Sequence, residues 1–202
     1  MGNSERGSPL YTLEFKSSDI QEASGIQKAV ERIGAARQPV VLVEAMGQSA
    51  QQLLKAAEKA ARQDLVLAST LAEGLRTYHM QVAQQVTSNA VWKQTKAQLS
   101  SLFEEISSLL QGLYLLGEFS PHGKRVAGFY AERSGAIILS QALHESGRPS
   151  QSFAAREAFL SVDNAGRESI QASLRAEIDG LLKELHIPVL PASLGALIFG
   201  PS

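Results

Sequence analysis

A five-residue run near the N-terminus constrains the fold most strongly. The segment Pro39-Val-Val-Leu-Val43 has no polar face, and a strand of that kind is buried on both sides, as in a parallel sheet covered by helices. Before it, Tyr11–Phe15 alternates like a strand, and Ser17-Ser18-Asp19 supplies N-cap chemistry for a helix from Ile20 to Ile33. A second helix is expected around Leu53–Ala61. This order of elements predicts an α/β protein with α/β/α layers and a mostly parallel sheet.

The remaining sequence predicts a large helical insert and further strands. Apolar residues recur at helical spacing in four segments, over residues 65–86, 99–116, 131–146 and 170–185. We expect Ser120-Pro121-His122-Gly123 to end the second of these helices. Residues 152–162 are expected to form a strand plus a turn, and residues 187–190 a final buried strand. The expected organisation is a flexible segment at 1–9, followed by a single domain at 10–202.

Composition excludes several classes of function. The chain has 202 residues, with 19 Lys and Arg against 20 Asp and Glu, and no Cys. A nearly neutral protein is not expected to bind nucleic acid or an acidic membrane through its overall charge. Without Cys there is no disulfide, thiolate nucleophile or Cys-ligated metal. The first nine residues lack the apolar part of a signal peptide, and Ile187–Phe199 is too short to span a bilayer. A cytoplasmic location is therefore expected.

Side-chain spacing alone does not indicate an enzyme or a metal site. The four histidines are scattered, with no HExxH or GxSxG motif, so each is expected to be solvated or to cap a helix; they are His79, His122, His144 and His186. Glu104, Glu105 and Glu157 have no partner that spacing identifies and are expected on solvated faces. Trp92 is expected to pack in the interior. No metal ligand is predicted.

A series of sequence segments, in a recognisable order, is more informative about the function than the spacing of single side chains. These are Val43-Glu-Ala-Met-Gly47, Tyr114-Leu-Leu-Gly-Glu-Phe-Ser-Pro121, Arg125-Val-Ala-Gly-Phe-Tyr-Ala-Glu-Arg-Ser-Gly-Ala136 and Pro188-Val-Leu-Pro-Ala-Ser-Leu-Gly195. Over nearly the whole chain, this order resembles aspartokinase, in the amino acid kinase family. The resemblance implies a sheet of amino acid kinase type. It also implies that the C-terminal half that binds the nucleotide would follow residue 202, so that half is expected to be absent.

The phosphate side of the implied site departs from the family pattern. Glu14 stands where the family has the Lys that neutralises the transferring phosphoryl group, and Lys16 and Ser17 replace two glycines. Glu44 and Ala50 replace a Ser and a Thr. Phosphoryl transfer depends on positive charge and close backbone donors around the phosphate. The resemblance therefore implies a degenerate site, in which only Lys16 offers a positive charge, from a different position.

On the substrate side of the implied site, two residues match the family pattern and two depart from it. Glu132 matches the family Glu that contacts the amino group of aspartate, and Asp163 aligns with a family Asp, so both are candidate substrate-binding residues. Gly135 replaces a Ser. Leu160 replaces the Arg that clamps the substrate α-carboxylate, which loses a bidentate ion pair.

Three functions follow from the resemblance. The favoured one is a catalytically inactive relative that keeps core residues such as Val40, Val41, Val43, Leu115 and Leu116. It would need no cofactor and would assemble with itself, with an active kinase or with another enzyme of the aspartate pathway. The second is an active aspartate kinase that uses Mg-ATP, with Lys16 replacing the missing Lys. The third is a sensor that holds a small amino acid through Glu132 without turnover.

Overall fold

The protein combines four short strands with seven helices in the part of the chain that a computed structural model describes, residues 11–153 and 164–199. The strands are β1 (Thr12–Phe15), β2 (Val40–Val43), β3 (Ser150–Ser152) and β4 (Ile187–Pro191). The helices are α1 (Ala23–Gly34), α2 (Ser49–Ala61), α3 (Leu65–Val86), α4 (Asn89–Leu116), α5 (Pro121–Glu145), α6 (Asn164–Lys183) and α7 (Ala192–Phe199).

The strands form one parallel sheet in the order β1-β2-β4-β3. Val41 of β2 is the register partner of Leu13 on one side and of Val189 on the other. Successive residues of β2 face opposite cores: Val41 and Val43 pack with α1–α5, whereas Val40 packs with α6 and α7. The predicted α/β class, the parallel sheet and its two helical layers are therefore confirmed.

Helix α5 lies at the centre of the larger layer. It contacts β2, β3 and β4 on one side and the helices α1 to α4 on the other. Nearly every residue from Val126 to Leu143 is consequently buried. A helix enclosed in this way has no polar face, which explains why its amphipathic pattern is weak. The predicted stripe on α4 is also buried; its members include Leu99, Leu102, Phe103, Ile106, Leu110 and Leu113.

The connection between α4 and α5 corrects one prediction. Ser120-Pro121 begins α5 and does not end α4, because Ser120 Oγ accepts a hydrogen bond from the Gly123 N–H at 3.1 Å and Pro121 occupies the first turn. Proline is favoured there because its missing N–H has no helical partner. Helix α4 instead ends at Leu116 and is capped by Gly117, which has φ +68°, a conformation that glycine adopts without a steric penalty.

Other helix boundaries also differ from the predicted ones. Helix α1 begins at Ala23, three residues later than predicted, because residues 17–19 form a turn and residues 20–22 a bend. In that turn the Asp19 N–H donates to the Lys16 carbonyl, and the Lys16 N–H donates to the Asp19 carboxylate. Helices α2 and α6 begin earlier than predicted, because their first turns are polar and lack the apolar periodicity. Helix α4 also begins earlier than predicted, at Asn89.

Two apolar residues predicted for the core are exposed. Leu115 and Leu116 are 80% and 78% exposed, because they lie in the last turn of α4, beyond the buried stripe. By contrast, Val40, Val41 and Val43 are fully buried, as predicted. No helix among residues 11–153 and 164–199 has both the length and the apolar character required to cross a bilayer.

Candidate functional site

The carboxyl ends of the parallel strands bring most of the predicted site residues together. Glu14 lies at the end of β1, Lys16 and Ser17 follow it, Glu44 follows β2, and Glu132 reaches the same edge from α5. We call these five residues the carboxyl-edge cluster. In open parallel sheets ligands bind outside the carboxyl ends of the strands, so this cluster is the candidate functional site.

Lys16 is held by two carboxylates of the cluster. Its Nζ lies 2.6 Å from Glu14 Oε1 and 3.0 Å from Glu44 Oε1. The hydrogen bond to Glu14, followed by the one to Glu44, raises the pKa of Lys16 above its ordinary value. The ammonium group is therefore charged at neutral pH, and its charge is balanced within the protein.

Glu44 also organises the turn that follows β1. Its Oε2 accepts hydrogen bonds from the Ser17 backbone N–H at 3.0 Å and from Ser17 Oγ at 2.9 Å. Partial burial acts to raise the pKa of Glu44, but the bonds from Ser17 and Lys16 outweigh it and lower that pKa. The Ser17 N–H thus binds a carboxylate of the protein itself, at the position where the resemblance would place a phosphate-binding backbone group.

Glu132 joins α5 to the start of α7. Its Oε2 accepts hydrogen bonds from the Ser193 N–H at 2.9 Å and from Ser193 Oγ at 2.5 Å. Burial raises the pKa of Glu132 and the charge of Glu44 adds to this effect, while the two Ser193 bonds oppose it. The carboxylate proposed from the resemblance to contact a substrate amino group therefore already has two donors from its own chain.

The other predicted site residues are small, apolar or outside the described part of the chain. Gly135 lies one turn beyond Glu132, where an added Cβ would be 3.2 Å from Met46 Cγ and 3.3 Å from the Glu44 carbonyl oxygen. Its lack of a side chain lets α5 approach the end of β2 closely. Ala50 packs against the core from the first turn of α2. Leu160 and Asp163, like Glu157, lie outside the described residues.

A cavity of about 580 Å³ lies beside the cluster, between the start of α1, the loop after β2 and helix α3. The Gly47 N–H donates to the Ser17 carbonyl at 3.0 Å and so links the cavity wall to the cluster. Tyr78 lines the cavity and donates to the Gln21 carbonyl. Glu22 is the charged side chain of the lining. Neither Lys16 nor Glu132 faces this cavity, so the cluster and the cavity do not form one pocket.

A buried histidine was mispredicted. His79 is 1% exposed, not solvated. Its Nδ1 lies 2.7 Å from the Leu75 carbonyl oxygen, and its Nε2 lies 2.8 Å from Ser134 Oγ and 3.3 Å from Ser49 Oγ. Burial lowers the pKa of His79 to about 4, against the opposing hydrogen bond to Leu75. Its spacing from Leu75 and Val82 placed it on the buried stripe of α3 and was the available signal.

A second mispredicted group is Glu105. It is not on a solvated face, because its Oε2 accepts from Arg133 Nη1 at 3.0 Å and from the Tyr130 hydroxyl at 3.1 Å. Arg133 is itself buried and lies over the Tyr130 ring. These contacts link α4 to α5 across 28 residues of sequence, a separation that helical spacing alone does not reveal. Trp92 packs against the core, as predicted.

The charge of the cluster decides what it can bind. Lys16 is paired with the carboxylates of Glu14 and Glu44, and a third carboxylate, that of Glu132, lies within the influence of the Glu44 charge. Such a site repels phosphate and offers no unpaired cation to a transferring phosphoryl group. Within residues 11–153 and 164–199, no group of three or more His, Cys, Asp or Glu side chains is arranged to hold a metal ion. No known protein-family model matches this chain.

Proposed function

We propose that this chain is an aspartokinase-like domain of amino acid kinase type that has lost phosphoryl transfer and acts as a binding and assembly module. Its expected partners are a second copy of itself or an enzyme of the aspartate pathway. The resemblance of the motifs and the layered parallel α/β fold support the family part of this proposal. The chemistry of the carboxyl-edge cluster supports the loss of catalysis.

The observation that carries the proposal is the double ion pair of Lys16. A kinase needs a cation that is free to neutralise the charge of the transferring group. Lys16 is bound by both Glu14 and Glu44 at 3.0 Å or less. A phosphate that approached it would have to displace a carboxylate and would still meet the remaining negative charges, which repel it at close range.

An exposed apolar surface supports the assembly part. The Gln63 amide donates to the Tyr114 carbonyl, which holds the start of α3 beside the end of α4. Four apolar side chains are exposed at this end of the helical layer; they are Val66, Leu67, Leu115 and Leu116. We call them the apolar tip. Neighbouring exposed apolar residues of this kind are typical of protein interaction sites.

Thermal unfolding with added ligands, at two protein concentrations, tests the proposal. A ligand at a hundredfold excess over its Kd stabilises the folded state by about 2.7 kcal/mol, which corresponds to a rise in Tm of roughly 5–10 °C for a chain of this size. We expect no such rise with Mg-ATP or with L-aspartate. We expect the Tm to rise with protein concentration if the chain associates with itself. If the partner is instead an enzyme of the aspartate pathway, association would be measured directly with that enzyme.

Matched variants separate the possible outcomes. The double substitution Leu115→Ser with Leu116→Ser should remove the concentration dependence, whereas Leu185→Ser, at another exposed leucine, should retain it. A clear Mg-ATP shift that is lost in Lys16→Ala would instead indicate an active kinase. A shift with L-aspartate alone, lost in Glu132→Gln, would indicate a metabolite sensor. Either result would overturn the proposal.

A further inference from the structure

A second cavity lies away from the carboxyl-edge cluster, near the beginnings of β3 and β4. Its volume is about 440 Å³, and it is enclosed by α4, α5, β3 and the residue before β4. Four glutamines, three serines, two histidines and Pro149 line it. None of these lining residues is Asp, Glu, Lys or Arg. We call it the amide cavity.

Two polar side-chain atoms of this lining are buried without a hydrogen-bond partner. The Gln141 side chain is 7% exposed; its Nε2 donates to Gln98 Oε1 at 3.1 Å, but its Oε1 has no partner. His186 Nδ1 is also buried and unpaired. The Glu184 carboxylate lies 3.9 Å from it, which is beyond hydrogen-bond distance. Buried polar atoms without a hydrogen-bond partner are costly and rare in folded proteins, so the occurrence of two in one cavity requires an explanation.

The serines of the cavity do not supply the missing donors. Ser150 Oγ donates to the Ser140 carbonyl at 2.7 Å, and Ser140 Oγ is positioned to donate to Ser150 Oγ at 3.3 Å. Both hydroxyl hydrogens are therefore engaged, while their oxygen lone pairs are still able to accept.

We propose that the amide cavity binds an uncharged, hydroxyl-rich small molecule of monosaccharide size, whose hydroxyl groups donate to Gln141 Oε1 and form a hydrogen bond with His186 Nδ1. The ligand is uncharged because no lining residue is a permanent ion that would offset the cost of burying a charge. Hydroxyl groups fit because each one both donates and accepts, as the glutamine and serine lining requires. The volume lies within the range of small-molecule sites and well above that of a single water.

The inference is independent of the proposed function, because the amide cavity shares no residue with the carboxyl-edge cluster. Its test is isothermal titration calorimetry of the full chain with D-glucose, D-galactose, D-mannose, D-ribose and myo-inositol, each titrated separately. We expect at least one of these probes to bind saturably. We expect Gln141→Leu to weaken that binding at least tenfold. The matched substitution Gln51→Leu, at an exposed glutamine on α2, should leave the affinity unchanged.

A second cavity variant and a phosphorylated probe complete the test. If Gln141→Leu fails to fold, Gln94→Leu, at an exposed glutamine of the same cavity, replaces it with the same expected loss. D-glucose 6-phosphate should bind at least tenfold more weakly than D-glucose wherever D-glucose binds. No saturable binding of any probe, binding that survives the cavity substitution, or equal affinity for the phosphorylated sugar would each overturn the inference. A crystal structure with only ordered water on Gln141 and His186 at saturating probe would do the same.

Discussion

Acid should destabilise this protein through one buried side chain, His79. The imidazole is enclosed by α2, α3 and α5, with Leu75, Ser49 and Ser134 as its hydrogen-bond partners. Protonation would place a charge where burial disfavours it, which is why the pKa of His79 falls to about 4 in the folded protein. An unfolded chain binds the same proton near pH 6.5. Wherever the unfolded state binds this proton and the folded state does not, proton binding therefore favours unfolding.

The size and sign of the effect follow from these two pKa values. Because the pKa is lower in the folded state, the contribution is fully present above about pH 6.5 and is lost as the pH falls toward about 4. The complete loss corresponds to roughly 3 kcal/mol of the free energy of unfolding. Between pH 7 and pH 5 the expected loss from this one residue is roughly 2 kcal/mol.

Urea denaturation at pH 7 and pH 5 measures this loss, provided that the wild-type chain is compared with His79→Gln. Glutamine keeps a donor and an acceptor but does not titrate. We expect the wild-type chain to lose about 2 kcal/mol more than the variant between the two pH values. The substitution His144→Gln, at an exposed histidine, should behave like wild type. An equal pH dependence in wild type and His79→Gln would refute the reasoning, as would an NMR titration of the His79 ring near pH 6.5.

Two pairs of matched substitutions test the packing. Glu105→Ala leaves the buried Arg133 guanidinium without its carboxylate and should lower the free energy of unfolding by about 2–4 kcal/mol. The control Glu104→Ala, on the exposed face, should change the free energy of unfolding by less than about 0.5 kcal/mol. Similar urea midpoints for the two variants would contradict this expectation. Gly25→Ala should cost about 1–3 kcal/mol, because its Cβ would lie 2.3 Å from a backbone carbonyl oxygen. Gly74→Ala, with no atom within 4 Å of the added Cβ, should raise the free energy of unfolding by about 0.5–1 kcal/mol through helix propensity. Thermal unfolding should therefore show a lower Tm for Gly25→Ala and a higher Tm for Gly74→Ala.

Local patterns predicted β1, β2 and β4 better than the helix ends. The strand and turn expected over residues 152–162 overlap β3 only at Ser152, and residues 154–162 lie outside the described part of the chain. The apolar runs of β2 and β4 allow little else than buried strands, and both occur where predicted. Helix ends depend on capping contacts, and Ser120-Pro121 suits the start of one helix as well as the end of another. Leu116 follows the apolar period of α4, yet is exposed, because the period does not report where the neighbouring helices end.

In the candidate site, too, local sequence patterns predicted some contacts and missed those between distant residues. The end of each strand was predictable, so the meeting of Glu14, Lys16 and Glu44 at one edge follows from a parallel sheet. The hydrogen bonds of Glu132 to Ser193 were not predictable, because they join residues 61 positions apart. His79 was misassigned for a different reason: its residue type suggested solvent, while its position on the apolar stripe of α3 indicated burial.

The strand order has a consequence for how the chain reaches its native state. β4 lies between β2 and β3 in the sheet, although it follows both in sequence. β1 and β2 are able to pair early, but β3 has no neighbour in the described sheet until β4 is in place. During synthesis the inner edge of β2 therefore stays open while all of the helical insert is made. Pairings across such long separations form slowly and leave strand edges exposed meanwhile, so the time before β4 inserts is when this chain is most vulnerable to aggregation.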